Sequence, residues 1–90
     1  MKKIKLSEEI WKEGNMYVSF CPELDVAACG ETIEQAKKNL LEVIEINIEE
    51  TKKKGTFQEF LNEAGFIVSD GNTYYTKKKL VGFEPIEVAI

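Results

Sequence analysis

Three carboxylates near one predicted turn are the residues best suited to chemistry. Glu23 and Asp25 follow Pro22, and Glu31 comes shortly after them. Carboxylate oxygens can hold a divalent cation, and a metal-bound water can then act in hydrolysis. Such a site needs carboxylates from several elements on one sheet face, whereas carboxylates in a turn are usually solvated. We therefore predict no catalytic residue, no metal and no cofactor, and we expect a protein that is not an enzyme.

Two further observations restrict the chemistry. Histidine is absent, which removes the commonest general base and metal ligand. The two cysteines, Cys21 and Cys29, are too few for a disulfide scaffold. The simplest hairpin register places them on opposite faces of a sheet, so a redox pair is not expected. We interpret both as buried, unreactive thiols.

The bulk properties favour one small, acidic domain. The chain has 90 residues and a net charge of −4, a sign that opposes contact with phosphate backbones and anionic membranes and suits a basic partner. So short a chain buries a modest share of its surface, which predicts self-association. With no apolar run of membrane-spanning length and no signal pattern, we expect a cytoplasmic protein without membrane contact.

The elements that would position these residues begin with three strands. Alternation predicts strands over residues 3–11 and 16–21, joined at Glu13-Gly14-Asn15, and Pro22 introduces a turn before a third strand at 26–29. In the first strand the apolar stripe has one parity and Trp11 the other. Trp11 is therefore either an exposed anchor for a partner or packed against a neighbouring element.

Two helices should follow. Thr32 and Gln35 fit a capping box at the start of a long amphipathic helix, which Gly55 ends. Thr56 to Glu59 fits a second capping box and a short helix that ends at Gly65.

The remaining residues read as strands. Asp70-Gly71 predicts a hairpin, and residues 80–90 predict a last strand interrupted by Pro85. The fold class is α+β: an antiparallel sheet with one long helix packed on it, then a short helix and a final hairpin and strand. We expect a single domain, with residues 1–54 as its core and 55–90 as an extension.

The segment from Tyr17 onward resembles the HicB-like antitoxin family over about residues 3–50. The matching residues, spaced as in that family, are Tyr17, Val18, Cys21-Pro22-Glu23-Leu24, Gly30, Thr32, Glu34, Ala36, Asn39 and Leu40. The resemblance implies a partial RNase H-like arrangement in β-β-β-α order. It also implies a non-enzymatic antitoxin that sterically neutralises a small basic HicA-like ribonuclease toxin.

Partner contacts are expected at the turn residues Glu23, Leu24 and Asp25, at Trp11, and at exposed positions of the long helix. Many members of the family carry a ribbon-helix-helix or helix-turn-helix tail that binds DNA. The segment after Gly55 fits neither motif, so DNA binding by this chain is not expected.

Two other functions stay open. The chain could be a solitary homo-oligomer in which strand edges at 3–11 or 80–90 pair between copies. It could also be a nucleic-acid-binding module that uses the basic run Lys77, Lys78 and Lys79.

Overall fold

The computed structural model describes residues 2–69 and 71–90 and has an α+β fold, which confirms the predicted class. In chain order the elements are β1 (Lys3–Ile4), β2 (Glu9–Glu13), β3 (Met16–Cys21), β4 (Val26–Gly30), α1 (Ile33–Lys54), α2 (Phe57–Glu63), β5 (Phe66–Ser69) and β6 (Thr73–Thr76).

The N-terminal sheet is antiparallel in the order β2-β3-β4. Helix α1 covers one of its faces, and Ser19 and Cys21 of β3 are fully buried there. Cys21 packs with Leu40 and Ile44 of α1 to form the first core. The order β-β-β-α predicted for this half of the chain is therefore present.

The second sheet has the order β1-β6-β5, with β1 parallel to β6. The prediction of one strand over residues 3–11 is wrong, because this segment divides between the two sheets. The amides of Lys3 and Lys5 donate to the carbonyls of Asn72 and Tyr74, each at 2.8 Å. These bonds to residues far along the chain hold the first part of the segment away from the N-terminal sheet.

A second core lies between this sheet and α2. It consists of Leu61, Phe66 and Tyr74. Leu6 and Leu24 pack against both cores, so the two halves share apolar contacts at these two side chains.

The ends of α1 follow the sequence signals. Thr32 Oγ1 accepts from the amide of Gln35 at 3.0 Å, and Gln35 Oε1 accepts from the amide of Glu31 at 3.2 Å. Gly55 ends the helix in the left-handed region, with φ 72°. The second capping box is wrong, because the Thr56 hydroxyl donates back to the carbonyl of Thr51 at 3.4 Å.

The hairpin of β5 and β6 is present, with Gly71 at φ 77°; Asp70, the first residue of the predicted turn, lies outside the described residues. The last predicted strand is wrong. Residues 80–90, described throughout, form neither strand nor helix, since no neighbouring strand within the described chain pairs with them. Across the described residues, no helix is both long and apolar enough to cross a bilayer.

Candidate functional site

The turn between β3 and β4 brings Glu23, Leu24 and Asp25 together, but their side chains have different surroundings. Glu23 Oε1 accepts a hydrogen bond from the amide of Ser7 at 2.8 Å and one from Cys21 Sγ at 3.5 Å. The carboxylate thus fixes the connection between β1 and β2 against the turn. Part of its hydrogen-bonding capacity serves the fold.

The other two turn residues, Leu24 and Asp25, also have different surroundings. Leu24 is half-buried between the two cores, so it contributes packing at the junction of the two halves. Asp25 is exposed and adopts φ 54°, a left-handed conformation that aspartate tolerates better than most residues. Asp25 is therefore the turn residue most accessible to a partner.

The hydrogen bonds at the turn affect the ionisation of both side chains. Partial burial favours the neutral carboxyl of Glu23, but the bonds from Ser7 and Cys21 favour the carboxylate more and hold its pKa below the ordinary value of 4.5. Burial raises the pKa of the Cys21 thiol above 9.0, and the neighbouring Glu23 carboxylate raises it further. At neutral pH, Glu23 is charged and Cys21 is a neutral thiol.

This pKa shift predicts a dependence of stability on pH. Because the folded pKa of Glu23 lies below the unfolded one, its stabilising effect is complete above the unfolded pKa and is lost as the pH falls through the folded pKa. Glu23→Gln should lower the free energy of unfolding by about 1 kcal/mol at pH 7, since a charged acceptor makes the stronger bond. The difference between the wild type and Glu23→Gln should shrink below the ordinary pKa of 4.5.

Urea denaturation from pH 7 to pH 3 measures this difference, with Glu63→Gln, at an exposed position of α2, as the control. Parallel pH profiles for the wild type and Glu23→Gln would contradict a lowered pKa of Glu23 in the folded protein.

The cysteines lie on opposite faces of the N-terminal sheet, as the hairpin register predicted. Cys21 pairs with Val26 and Cys29 pairs with Val18. Cys21 is buried under α1, as expected, but the expectation that Cys29 is buried is wrong, because α1 covers only the other face. Both thiols are free.

The face of the N-terminal sheet opposite α1, which we call the outer face, is mainly apolar but carries Glu9 and Glu13 of β2. Trp11, Val18 and Cys29 form one row across the three strands, and Met16 and Phe20 lie on the same face. The Trp11 side chain is 44% exposed, and its ring meets that of Phe83 edge to face, with centroids 4.8 Å apart. Trp11 is therefore both packed and accessible.

Lys77, Lys78 and Lys79 are exposed and line a groove of about 720 Å³. Glu9 and Glu23 line the same groove, so its lining carries charges of both signs. This arrangement weakens the positive potential that a phosphate backbone requires. Nucleic-acid binding at these three lysines stays a prediction.

Helix α1 presents a mixed surface to solvent, which we call the acidic helix face. Its exposed members recur at spacings of three, four and seven residues, which places them on one side of the helix; they are Glu34, Lys38, Leu41, Glu42, Glu45, Glu49 and Lys52. The face has a net charge of −2, and Leu41 lies within it with 56% of its surface exposed. The helical periodicity indicated exposed positions here, but only the packing of α1 identifies which they are.

Among residues 2–69 and 71–90, no group of three or more histidine, cysteine, aspartate or glutamate side chains is close enough to hold a metal ion. Glu23, Asp25 and Glu31 thus do not gather into a metal site. The chain matches no protein-family model, no curated protein and no solved structure.

Proposed function

We propose that this chain is a non-enzymatic, antitoxin-like protein that binds a small basic mRNA-cleaving toxin of the HicA-like type and neutralises it sterically. The observation that carries the proposal is the acidic helix face, presented by α1, the helix in which the HicB-like segment ends. The element order in that segment, with its capped helix, is the one that the resemblance implies.

The acidic helix face suits a basic protein for two reasons. Leu41 gives it an apolar point that a partner can cover, and Glu45 and Glu49 can pair with lysine or arginine at the margin of the contact. Complementary charge also speeds diffusional encounter. The 22-residue helix is anchored by Ala36, Leu40 and Ile44, so the face is rigid and little ordering is needed on binding.

Inhibition in this proposal is steric. A HicA-like toxin cleaves RNA with a histidine on its basic RNA-binding face, so a protein that covers this face removes both the catalytic group and the substrate site. The acidic helix face would take the place of the RNA phosphates. Asp25 lies in the turn at the opposite end of β4 from α1 and would add a further negative charge.

Charge reversal on the acidic helix face tests the proposal. The double substitution Glu45→Lys and Glu49→Lys should weaken binding to a purified basic toxin of the HicA-like type by about tenfold or more, because like charges then meet across the contact. Most of this loss should appear as slower association, and wild-type association should slow as salt is added.

The matched control is Glu59→Lys with Glu63→Lys, which makes the same charge change at exposed positions of α2. Surface plasmon resonance at two salt concentrations separates the two variants. Equal affinity for both would exclude the acidic helix face as the contact. Binding of labelled RNA or duplex DNA by the chain alone, abolished by substitution of Lys77 to Lys79, would favour the nucleic-acid module instead.

A further inference from the structure

Residues 80–90 form an exposed segment with the sequence pattern of a strand, which we call the apolar arm. Ile86, Val88 and Ile90 alternate with Glu87 and Ala89, so an extended backbone would gather the three large side chains on one face. Ile86 and Val88 are 84% and 75% exposed. Across the described residues, no backbone hydrogen bond joins residues 84–90 to another segment.

The overall dimensions agree with an arm that projects from the fold. The radius of gyration is 15.2 Å, whereas a compact chain of this length is expected near ~12 Å. Pro85 favours an extended backbone in the arm, because the residue before a proline is held extended and the ring fixes the proline φ. The chain therefore continues outward after Phe83.

The same chain has an uncovered surface that such a strand would fit. The outer face of the N-terminal sheet carries Trp11, Val18 and Phe20, and β2 is an edge strand of that sheet. The opposite edge, β4, is partly closed, because Asn39 Nδ2 donates to the carbonyl of Cys29 at 2.8 Å. The edge at β2 is the better site for another strand.

We propose that two copies of this chain exchange their apolar arms, with residues 86–90 of each copy pairing along β2 of the other. The occupant is a second copy because the strand without a sheet and the sheet edge without a strand belong to the same chain. In a two-fold arrangement, each arm pairs with the β2 edge of the other copy, so both pairings form in a single contact.

Three features of the arm and of β2 support this pairing. Phe83 already lies against Trp11, so the arm leaves the fold beside the edge that receives its partner. Residues 86–90 match the five residues of β2 in length. When residues 86–90 pair in register with β2, Ile86, Val88 and Ile90 continue the outer face beyond the edge, with Val88 beside Trp11 and the two isoleucines beside Glu9 and Glu13. Glu87 then lies on the opposite face of the sheet. Lys12 of β2 lies on that opposite face too, since it pairs with Tyr17, and opposite charges on neighbouring strands stabilise a sheet.

The interface does not depend on a toxin, so it is tested with the purified chain alone. Light scattering after size exclusion should show a dimer for the wild type. Val88→Asp should give a monomer with an unchanged circular dichroism spectrum, because Val88 is exposed in the single chain. Val81→Asp is the matched control: it introduces the same charge at a 96% exposed valine of the arm, outside residues 86–90, and should remain a dimer.

A charge swap tests the register. Lys12→Glu should weaken the dimer by about threefold, and adding Glu87→Lys should restore it. Hydrogen exchange of the wild type should show slow amides at 86–90 that become fast in Val88→Asp. A monomeric wild type, or a Val88→Asp variant that still dimerises, would overturn the proposal. So would a wild-type chain that is monomeric alone and protects the arm only when a basic HicA-like toxin is added, since the occupant would then be that protein.

Discussion

Replacing Gly30 with alanine is expected to lower the free energy of unfolding by about 3 kcal/mol. Gly30 ends β4 where the first turn of α1 crosses it, and a Cβ at this position would lie 2.6 Å from the amide nitrogen of Ala36 and 2.9 Å from the carbonyl carbon of Gln35. Both are backbone atoms, so no side-chain rotation can relieve the overlap. The helix would have to move away from the sheet.

Gly82→Ala is the control for this substitution. It has the same chemistry, and a Cβ there meets nothing within 4 Å among the described residues, so its effect should stay within about 0.5 kcal/mol. Urea denaturation followed by circular dichroism measures both variants. Equal stabilities for Gly30→Ala and Gly82→Ala would show that α1 does not approach β4 as closely as described.

Truncating Leu40 is expected to lower the free energy of unfolding by about as much as Gly30→Ala. The Leu40 side chain is 2% exposed and packs with Cys21 and Ile44 in the first core, so Leu40→Ala should remove about 3 kcal/mol through lost burial and the cavity left behind. For a domain of this size, that is a large part of the total free energy of unfolding.

The neighbouring residue gives a matched comparison. Leu41 is 56% exposed, and Leu41→Ala should change the unfolding free energy by less than about 0.5 kcal/mol. Thermal and urea denaturation of the two variants should therefore differ clearly. If Leu41→Ala were the more destabilising substitution, the helix would be rotated relative to the sheet, and the acidic helix face would not be the exposed side.

The sequence predicted best those features that depend on neighbouring residues. Thr32 and Gln35 cap α1, Gly55 ends it, and Gly14 joins β2 to β3, since each of these is set by local backbone geometry. The helical spacing of apolar residues likewise predicted that one side of α1 would be buried. The opposite faces of Cys21 and Cys29 followed from the register of one hairpin.

The features that the sequence did not predict depend on distant parts of the chain. Residues 3–11 alternate as one strand, yet the bonds of Lys3 and Lys5 to the β6 region divide them between two sheets. The packing of Leu24 where the two cores meet was not predicted, and the partner contact expected there stays a prediction. Residues 80–90 have a strand pattern without a strand, because a pattern specifies a face and cannot supply the neighbour that the face needs.

The most direct measurement of the proposed function is a titration of toxin activity. A purified basic toxin of the HicA-like type is incubated with a reporter mRNA, and the wild-type chain is added in increasing amounts. We predict that cleavage stops at one chain per toxin and returns in the variant carrying Glu45→Lys and Glu49→Lys. Undiminished cleavage in the presence of excess wild-type chain would contradict the account.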